Sequence, residues 1–211
     1  IELDNYTYDV LRIILSKCDM KKLDKFFCIV ESTTKDKVNE LYLTQCCSKK
    51  NVIKKLLFDP EAQEYFNPEK NREIVNGHNI KLMNPCTVCG SRTKQFDEYD
   101  LCILKLANTL DTSLFPKDKY IENSRINITA STGANRYDKI LTKRNQYALL
   151  LIQEAISKLP QSLERDILEH ALVTTLALGR IAMYGSSTDI LYHVVHSKAQ
   201  EMNIWHLFKT N

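Results

Sequence analysis

The chain has 211 residues, enough for one large domain or two small ones and long enough to bury a substantial core. Hydrophobic residues make up 44% and charged residues 26%, which excludes wholesale disorder, and five Gly with five Pro argue against collagen, linker sequence or a turn-rich all-β chain. With 29 Lys+Arg against 26 Asp+Glu, the net charge of +3 is too small to announce a nucleic-acid or membrane partner by itself.

In chain order, residues 1–75 read as an N-terminal layer of short helices. Thr7 caps a helix carrying Val10, Leu11, Ile14 and Leu15, and Met20, Leu23, Phe27 and Val30 follow one helical face. Thr33 with Asp36 has the spacing of a capping box opening a further helix with Val38, Leu41 and Tyr42. Val52, Ile53, Leu56 and Leu57 continue at helical spacing. Asp59-Pro60-Glu61 and Asn67-Pro68-Glu69 each supply a cap, a Pro at the first helical position and an acid where the helix dipole favours negative charge. Asn76-Gly77 is a stop.

Residues 76–110 lose the periodicity, hold a cysteine motif, and end in a helix from Asp97 to Leu110. Residues 111–211 read as a C-terminal helical core. Residues 111–133 are irregular, with Ile126, Ile128 and Ala130 alternating as in one short strand. Ile140, Arg144, Tyr147, Ala148, Leu151, Ile152, Ala155, Ile156 and Leu159 trace a stripe that Pro160 ends, and Ser162 caps a second helix through Leu163, Ile167, Ala171, Leu178 and Ile181. Gly185-Ser186-Ser187 turns into a last helix running to about Met202. The apolar tail, Ile204, Trp205, Leu207 and Phe208, is expected to pack back on the domain. The fold expectation is all-α: a multi-helix domain with a zinc-knuckle loop between an N-terminal layer and a C-terminal core.

The most informative stretch is Asn84-Pro85-Cys86-Thr87-Val88-Cys89-Gly90. Two Cys separated by two residues bend both sulfurs toward one metal, and the following Gly lets the backbone turn and aim amides at the thiolates. Cys102, near the start of the next helix, is the expected third ligand and His78 the fourth, with His193 and His196, or another Cys, as rivals. Reduced thiolates in tetrahedral geometry suit structural zinc, and four protein ligands leave no position for a substrate water.

Seven cysteines cannot all pair, so reduced thiols and a cytoplasmic or nuclear setting are expected. Lys far outnumbers Arg, and Ile, Asn and Tyr are frequent; these residue types have AT-rich codons, as in the genome of a virus or an intracellular parasite, and a viral origin makes the compartment that of a host cell. The chain opens on Ile1 rather than Met, which is expected of a fragment. No apolar run approaches the ~20 residues of a bilayer span.

Catalytic patterns are scarce. Glu169-His170 lacks the second His of a zinc protease helix, Thr132-Gly133-Ala134 is no phosphate loop, and Asp97, Glu98 and Asp100 read as helix N-terminal charges rather than general acids. Arg136, Lys139, Lys143 and Arg144 form a basic cluster suited to phosphate contact. Lys49, Lys50, Lys54 and Lys55 form a second, and Arg92 and Lys94 flank the cysteine loop. The functional expectation is a non-enzymatic, zinc-stabilised accessory factor that binds nucleic acid or a transcription or replication assembly. The alternative is a protein–protein adaptor or structural module without nucleic-acid binding. A protein partner is expected, a membrane is not, and the chain is compatible with a homo-oligomer.

Overall fold

The computed structural model describes residues 12–14, 16–59, 64–65, 80–119, 136–180, 182–183 and 199–211. Helix α1 (Met20–Leu41) is followed by β1 (Leu43–Cys46), β2 (Lys49–Asp59), β3 (Glu64–Tyr65), β4 (Ile80–Leu82) and β5 (Thr93–Lys94). Then come α2 (Glu98–Asn108), a 3-10 turn (Tyr137–Ile140), α3 (Lys143–Ser157), α4 (Leu163–Leu178), β6 (Ala182–Met183), β7 (Ala199–Met202) and α5 (Ile204–Thr210). The chain is therefore mixed α/β, and the all-α expectation is overturned by an antiparallel sheet in the order β5-β4-β2-β7-β6, with β1 and β3 also paired to β2.

The helical faces follow from the apolar spacing. Asp19 caps α1 by accepting from the amides of Lys21 and Lys22, and Phe26, Val30, Thr34 and Val38 line its buried side at every fourth position. Thr33 does not open a new helix: α1 runs through it, and its hydroxyl donates back to the Ile29 carbonyl at 2.9 Å. Ala148, Leu149, Ile152 and Ile156 of α3 pack toward α1, α4 and α5. Ser162 occupies the N-cap position of α4, although its hydroxyl makes no capping bond. The tail folds back as expected, with Ile204, Trp205 and Phe208 buried and Trp205 stacked on Phe27 at 6.2 Å between ring centroids.

The largest departure from the helical reading is β2. Ile53 and Leu56 are three residues apart, a helical spacing that would put them on opposite faces of a regular strand. Pairing with β4 runs Ile53↔Leu82, then Lys55↔Lys81 and Leu56↔Ile80, so a bulge sits between Ile53 and Lys55. One extra residue restores Ile53 and Leu56 to the same buried side, and the strand thereby carries a helix-like apolar pattern. The hairpin β1–β2 turns on Cys47 (φ 51°) and Ser48 (φ 60°), the left-handed pair of a two-residue turn that usually draws Asn-Gly. Strand β7 is built from Ala199-Gln200-Glu201-Met202, mostly good helix formers, and lies where a helix was expected. Tertiary pairing holds it there. Gly179 ends α4 before Ala182–Met183 pair with β7, so the apolar stretch Ala171–Met183 is not one helix. The helix start at Asn67-Pro68-Glu69, the Ile126–Ala130 strand and the turn at Gly185 lie outside the described residues.

A buried polar cluster ties the layers together. Arg144, at the start of α3, forms an ion pair with Glu201 of β7, and both side chains are almost wholly excluded from solvent. Thr142 Oγ1 donates to Glu201 Oε1 at 2.5 Å, and Arg144 reaches the Leu41 carbonyl while its guanidinium stacks over the Tyr42 ring at 4.6 Å. Tyr42 donates to Asn145 Oδ1 at 2.6 Å, and Asn145 Nδ2 donates to the carbonyls of Gly179 and Met202. The partners come from the end of α1, the start of α3, the end of α4 and β7, so this network fixes the angle between the helices and the sheet.

Candidate metal centre

Two tight turns meet at one end of the sheet. The first is the β1–β2 hairpin, which brings Cys46 at the end of the strand and Cys47 in the turn. In extended backbone, neighbouring side chains point to opposite faces; the left-handed conformation at Cys47 breaks that alternation. The second is the loop between β4 and β5. There the Cys86 amide donates to the Ser91 carbonyl and the Gly90 amide to the Cys86 carbonyl, each at 2.8 Å, closing the loop on itself. Gly90 adopts φ 71°, which a residue with a Cβ takes up only with strain.

The sulfurs of Cys46, Cys47, Cys86 and Cys89 all lie within 4.8 Å of one another, and Cys46 Sγ is 3.7 Å from Cys89 Sγ. A tetrahedral ion with metal–sulfur bonds of ~2.3 Å requires sulfurs about 3.8 Å apart. The four thiols are free of disulfides. The cluster can hold a metal ion, and its donors are all soft sulfur.

The thiols are electrostatically unlike. Hydrogen bonds from the backbone amides of Cys89 and Val88 pull Cys86 down to about 7, the knuckle stabilising its thiolate. Burial, followed by hydrogen bonds with Cys86, Cys89 and Cys47, pushes Cys46 up to about 12. A bound divalent cation favours the thiolate at every position, so metal and protons compete for the same sulfurs.

The base of the centre is held by a second ionic cluster, in which Lys94, Asp100 and Thr44 are buried and Asp97 is exposed. Lys94 Nζ of β5 donates to Asp97 Oδ2 at 2.7 Å, Asp100 Oδ2 at 2.8 Å and Thr44 Oγ1 at 3.1 Å. Thr44, two residues before Cys46, donates in turn to Asp100 Oδ1 at 2.5 Å. Asp97 and Asp100 form a reciprocal capping box at the start of α2. Burial pushes the Asp100 carboxyl up against the stabilising pull of Lys94, while at Asp97 burial is outweighed by its hydrogen bonds to Lys94 and Asp100 and the net shift is downward. Asp97 and Asp100 are thus helix N-terminal charges, as the sequence suggests, and they clamp the cysteine hairpins to α2.

Of the expected ligands, Cys86 and Cys89 are in the cluster. Cys102 is not: it lies exposed on α2, and Cys46 and Cys47 stand in the cluster instead. His78, His193 and His196 lie outside the described residues. The adjacent Cys46 and Cys47, 40 and 39 positions ahead of Cys86, are the signal that finds them, hidden by the helical expectation over residues 1–75. The first basic cluster also divides. Arg144 is buried against Glu201 and so does not present a surface for nucleic acid, a consequence of the inward stripe on α3. Arg136 is engaged with Asp138 through paired hydrogen bonds. Lys139 and Lys143 are exposed, and Lys143 Nζ donates to the Asn108 carbonyl at 3.1 Å.

No helix among the described residues is long and apolar enough to cross a membrane. Compared with family models, with curated proteins and with solved structures, the chain matches none.

Proposed function

We propose that the chain is a non-enzymatic, zinc-stabilised nucleic-acid-binding factor whose zinc is structural and held by Cys46, Cys47, Cys86 and Cys89. The observation that carries this reading is the convergence of four sulfurs from two separate hairpins within 4.8 Å. Zinc is favoured because all-sulfur tetrahedral sites suit a borderline-soft ion without redox demands. A structural role is favoured because four thiolates close the coordination sphere. The acids nearest the centre are already committed, Asp97 to a helix cap and Asp100 to Lys94 and Thr44, so neither is placed as a general acid or base.

Four thiolates around one divalent cation carry a net charge of −2. Lys49, the cross-strand partner of Cys46, together with Lys50 and Arg92, surrounds the hairpins with compensating positive charge. The cationic character of these turns supports the nucleic-acid part of the reading.

The test is metal analysis with native mass spectrometry, joined to filter binding of a nucleic acid at 50 and 200 mM salt. One zinc per chain and affinity that falls steeply with salt are expected. A metal-free chain that keeps its fold under strong chelation overturns the zinc reading, and an iron content would replace it with a cluster. Binding that is absent or independent of salt removes the nucleic-acid part in favour of a protein–protein adaptor.

A further inference from the structure

We infer that Cys46 and Cys89 are an oxidisable pair: hydrogen peroxide joins their sulfurs in a disulfide, and the ion then leaves the centre. This rests on the zinc reading above and adds to it a modification of the same side chains.

Geometry selects the pair. Cys46 Sγ and Cys89 Sγ are 3.7 Å apart, in contact across two hairpins. A disulfide bond is about 2.0 Å long, so side-chain rotation has only the remaining gap to close. Cys89 is exposed and Cys46 is half-buried, so a small oxidant in water reaches the first while the second lies against it.

The neighbouring thiols are worse placed. Cys46 and Cys47 adjoin, and a trans peptide holds adjacent Cα atoms about 3.8 Å apart, short of the roughly 4.4 Å at which disulfides begin. Cys86 is buried, and its sulfur accepts from the amides of Val88 and Cys89 and lies 3.6 Å from the Cys46 carbonyl oxygen, to which the thiol donates. Turning that sulfur toward Cys89 forfeits those bonds.

The chemistry balances in two steps. The Cys89 sulfur attacks one peroxide oxygen: an S–O bond forms, the O–O bond breaks, and the departing hydroxide takes a proton to become water. Cys89 is thereby oxidised to a sulfenic acid. The Cys46 sulfur then attacks the Cys89 sulfur, the S–S bond forms, the S–O bond breaks, and a second hydroxide leaves as water. Two thiolates, one peroxide and two protons become one disulfide and two waters. Cys47 and Cys86 are left as the two remaining thiolates, half of a closed tetrahedral set, and the ion passes to water. The disulfide joins the same two hairpins that the ion joined, so oxidation replaces one tie with another.

The test uses the zinc-loaded chain carrying Cys28→Ser and Cys102→Ser, which removes two exposed thiols outside the cluster. It is treated with one equivalent of hydrogen peroxide. Released zinc is read with a metallochromic dye, and the link is located by peptide mass mapping after alkylation of the remaining thiols. One zinc released per disulfide is expected, with Cys46 linked to Cys89, Cys47 and Cys86 alkylated, and both changes reversed by dithiothreitol with zinc. The oxidised, metal-free chain should also melt at a higher temperature than the reduced, metal-free chain, because the link constrains the unfolded state. A zinc-loaded chain that forms no disulfide, links any other pair, or keeps its zinc after linking overturns this inference and leaves the zinc reading standing. A chain that takes up no zinc when reduced overturns both.

Discussion

Cys46 Sγ sits 3.7 Å from Cys89 Sγ, although 43 positions separate the two residues in the chain. Local sequence cannot produce that proximity. It depends on β2 running back from the first hairpin to pair with β4, and on Thr44, Lys94 and Asp100 locking β1 beside the start of α2. The sulfur cluster is therefore a readout of the tertiary fold as well as a candidate ion site.

The proposed ligand set makes a sharp distinction between cysteines. Cys46→Ser and Cys89→Ser should each abolish stoichiometric zinc binding or lower it severely, whereas Cys102→Ser should retain one equivalent. Metal analysis after dialysis, with cobalt substitution monitored by thiolate-to-metal absorption, checks this. Equal loss in the Cys102 variant would restore that residue as a ligand.

Gly90 offers a separate handle on the knuckle. A Cβ at this position meets no neighbouring atom within 4 Å, so the cost of Gly90→Ala is conformational rather than steric crowding. With φ at 71°, that cost should be about 1–2 kcal/mol. Urea unfolding measures it, and the proposed zinc stoichiometry should survive if the loop tolerates the strain.

The Arg144–Glu201 pair should behave as a buried pair does when halved. Arg144→Met leaves a carboxylate excluded from water and is expected to destabilise by about 3–5 kcal/mol. Replacing Glu201 by Leu in the same chain should recover much of that loss, because no unpaired charge remains. Denaturant midpoints of the two single variants and the double variant form the cycle that tests it.

Glu164 predicts an acid-side stability change. Its carboxylate accepts from the Asp19 amide at 3.1 Å and pairs with Lys22 at 2.7 Å, joining the N-termini of α4 and α1. The hydrogen bond from Lys22 is the largest of the contributions that pull it from the ordinary 4.5 to about 2. A folded-state value below the unfolded one gives stability that is complete above about pH 4.5 and is lost as the pH falls toward 2. Thermal midpoints between pH 2 and 6 should therefore fall less steeply in Glu164→Gln than in the parent chain.

The sequence made some of this legible. The apolar stripe of α3 was readable because a helix buries residues at every third and fourth position, and the acids from Asp97 onward marked the start of α2. On α1 and α4 the helices were readable but the faces only in part, since Met20 and Leu178 are exposed while Phe26 and Leu168 are buried. The Cys-x-x-Cys-Gly knuckle was readable because its geometry is local. The Ile204–Phe208 tail packed as its composition implied.

The strands were not legible, for identifiable reasons. The bulge in β2 makes a strand imitate a helix, and the β1–β2 turn uses Cys47-Ser48 instead of the Asn-Gly that usually marks a hairpin. In β7, sheet pairing and the burial of Glu201 on Arg144 override the helical preference of Ala, Gln, Glu and Met.

What the chain determined by itself is whatever neighbouring residues can decide between them: helix faces, caps, and a loop whose amides point at one thiol. The tertiary structure alone decided that Cys46 and Cys47, rather than Cys102, complete the sulfur cluster, and that Arg144 turns inward while Lys55 meets Lys81. Those outcomes require segments far apart in sequence to pair in a defined register, and register is set by the burial of whole faces rather than by any short motif.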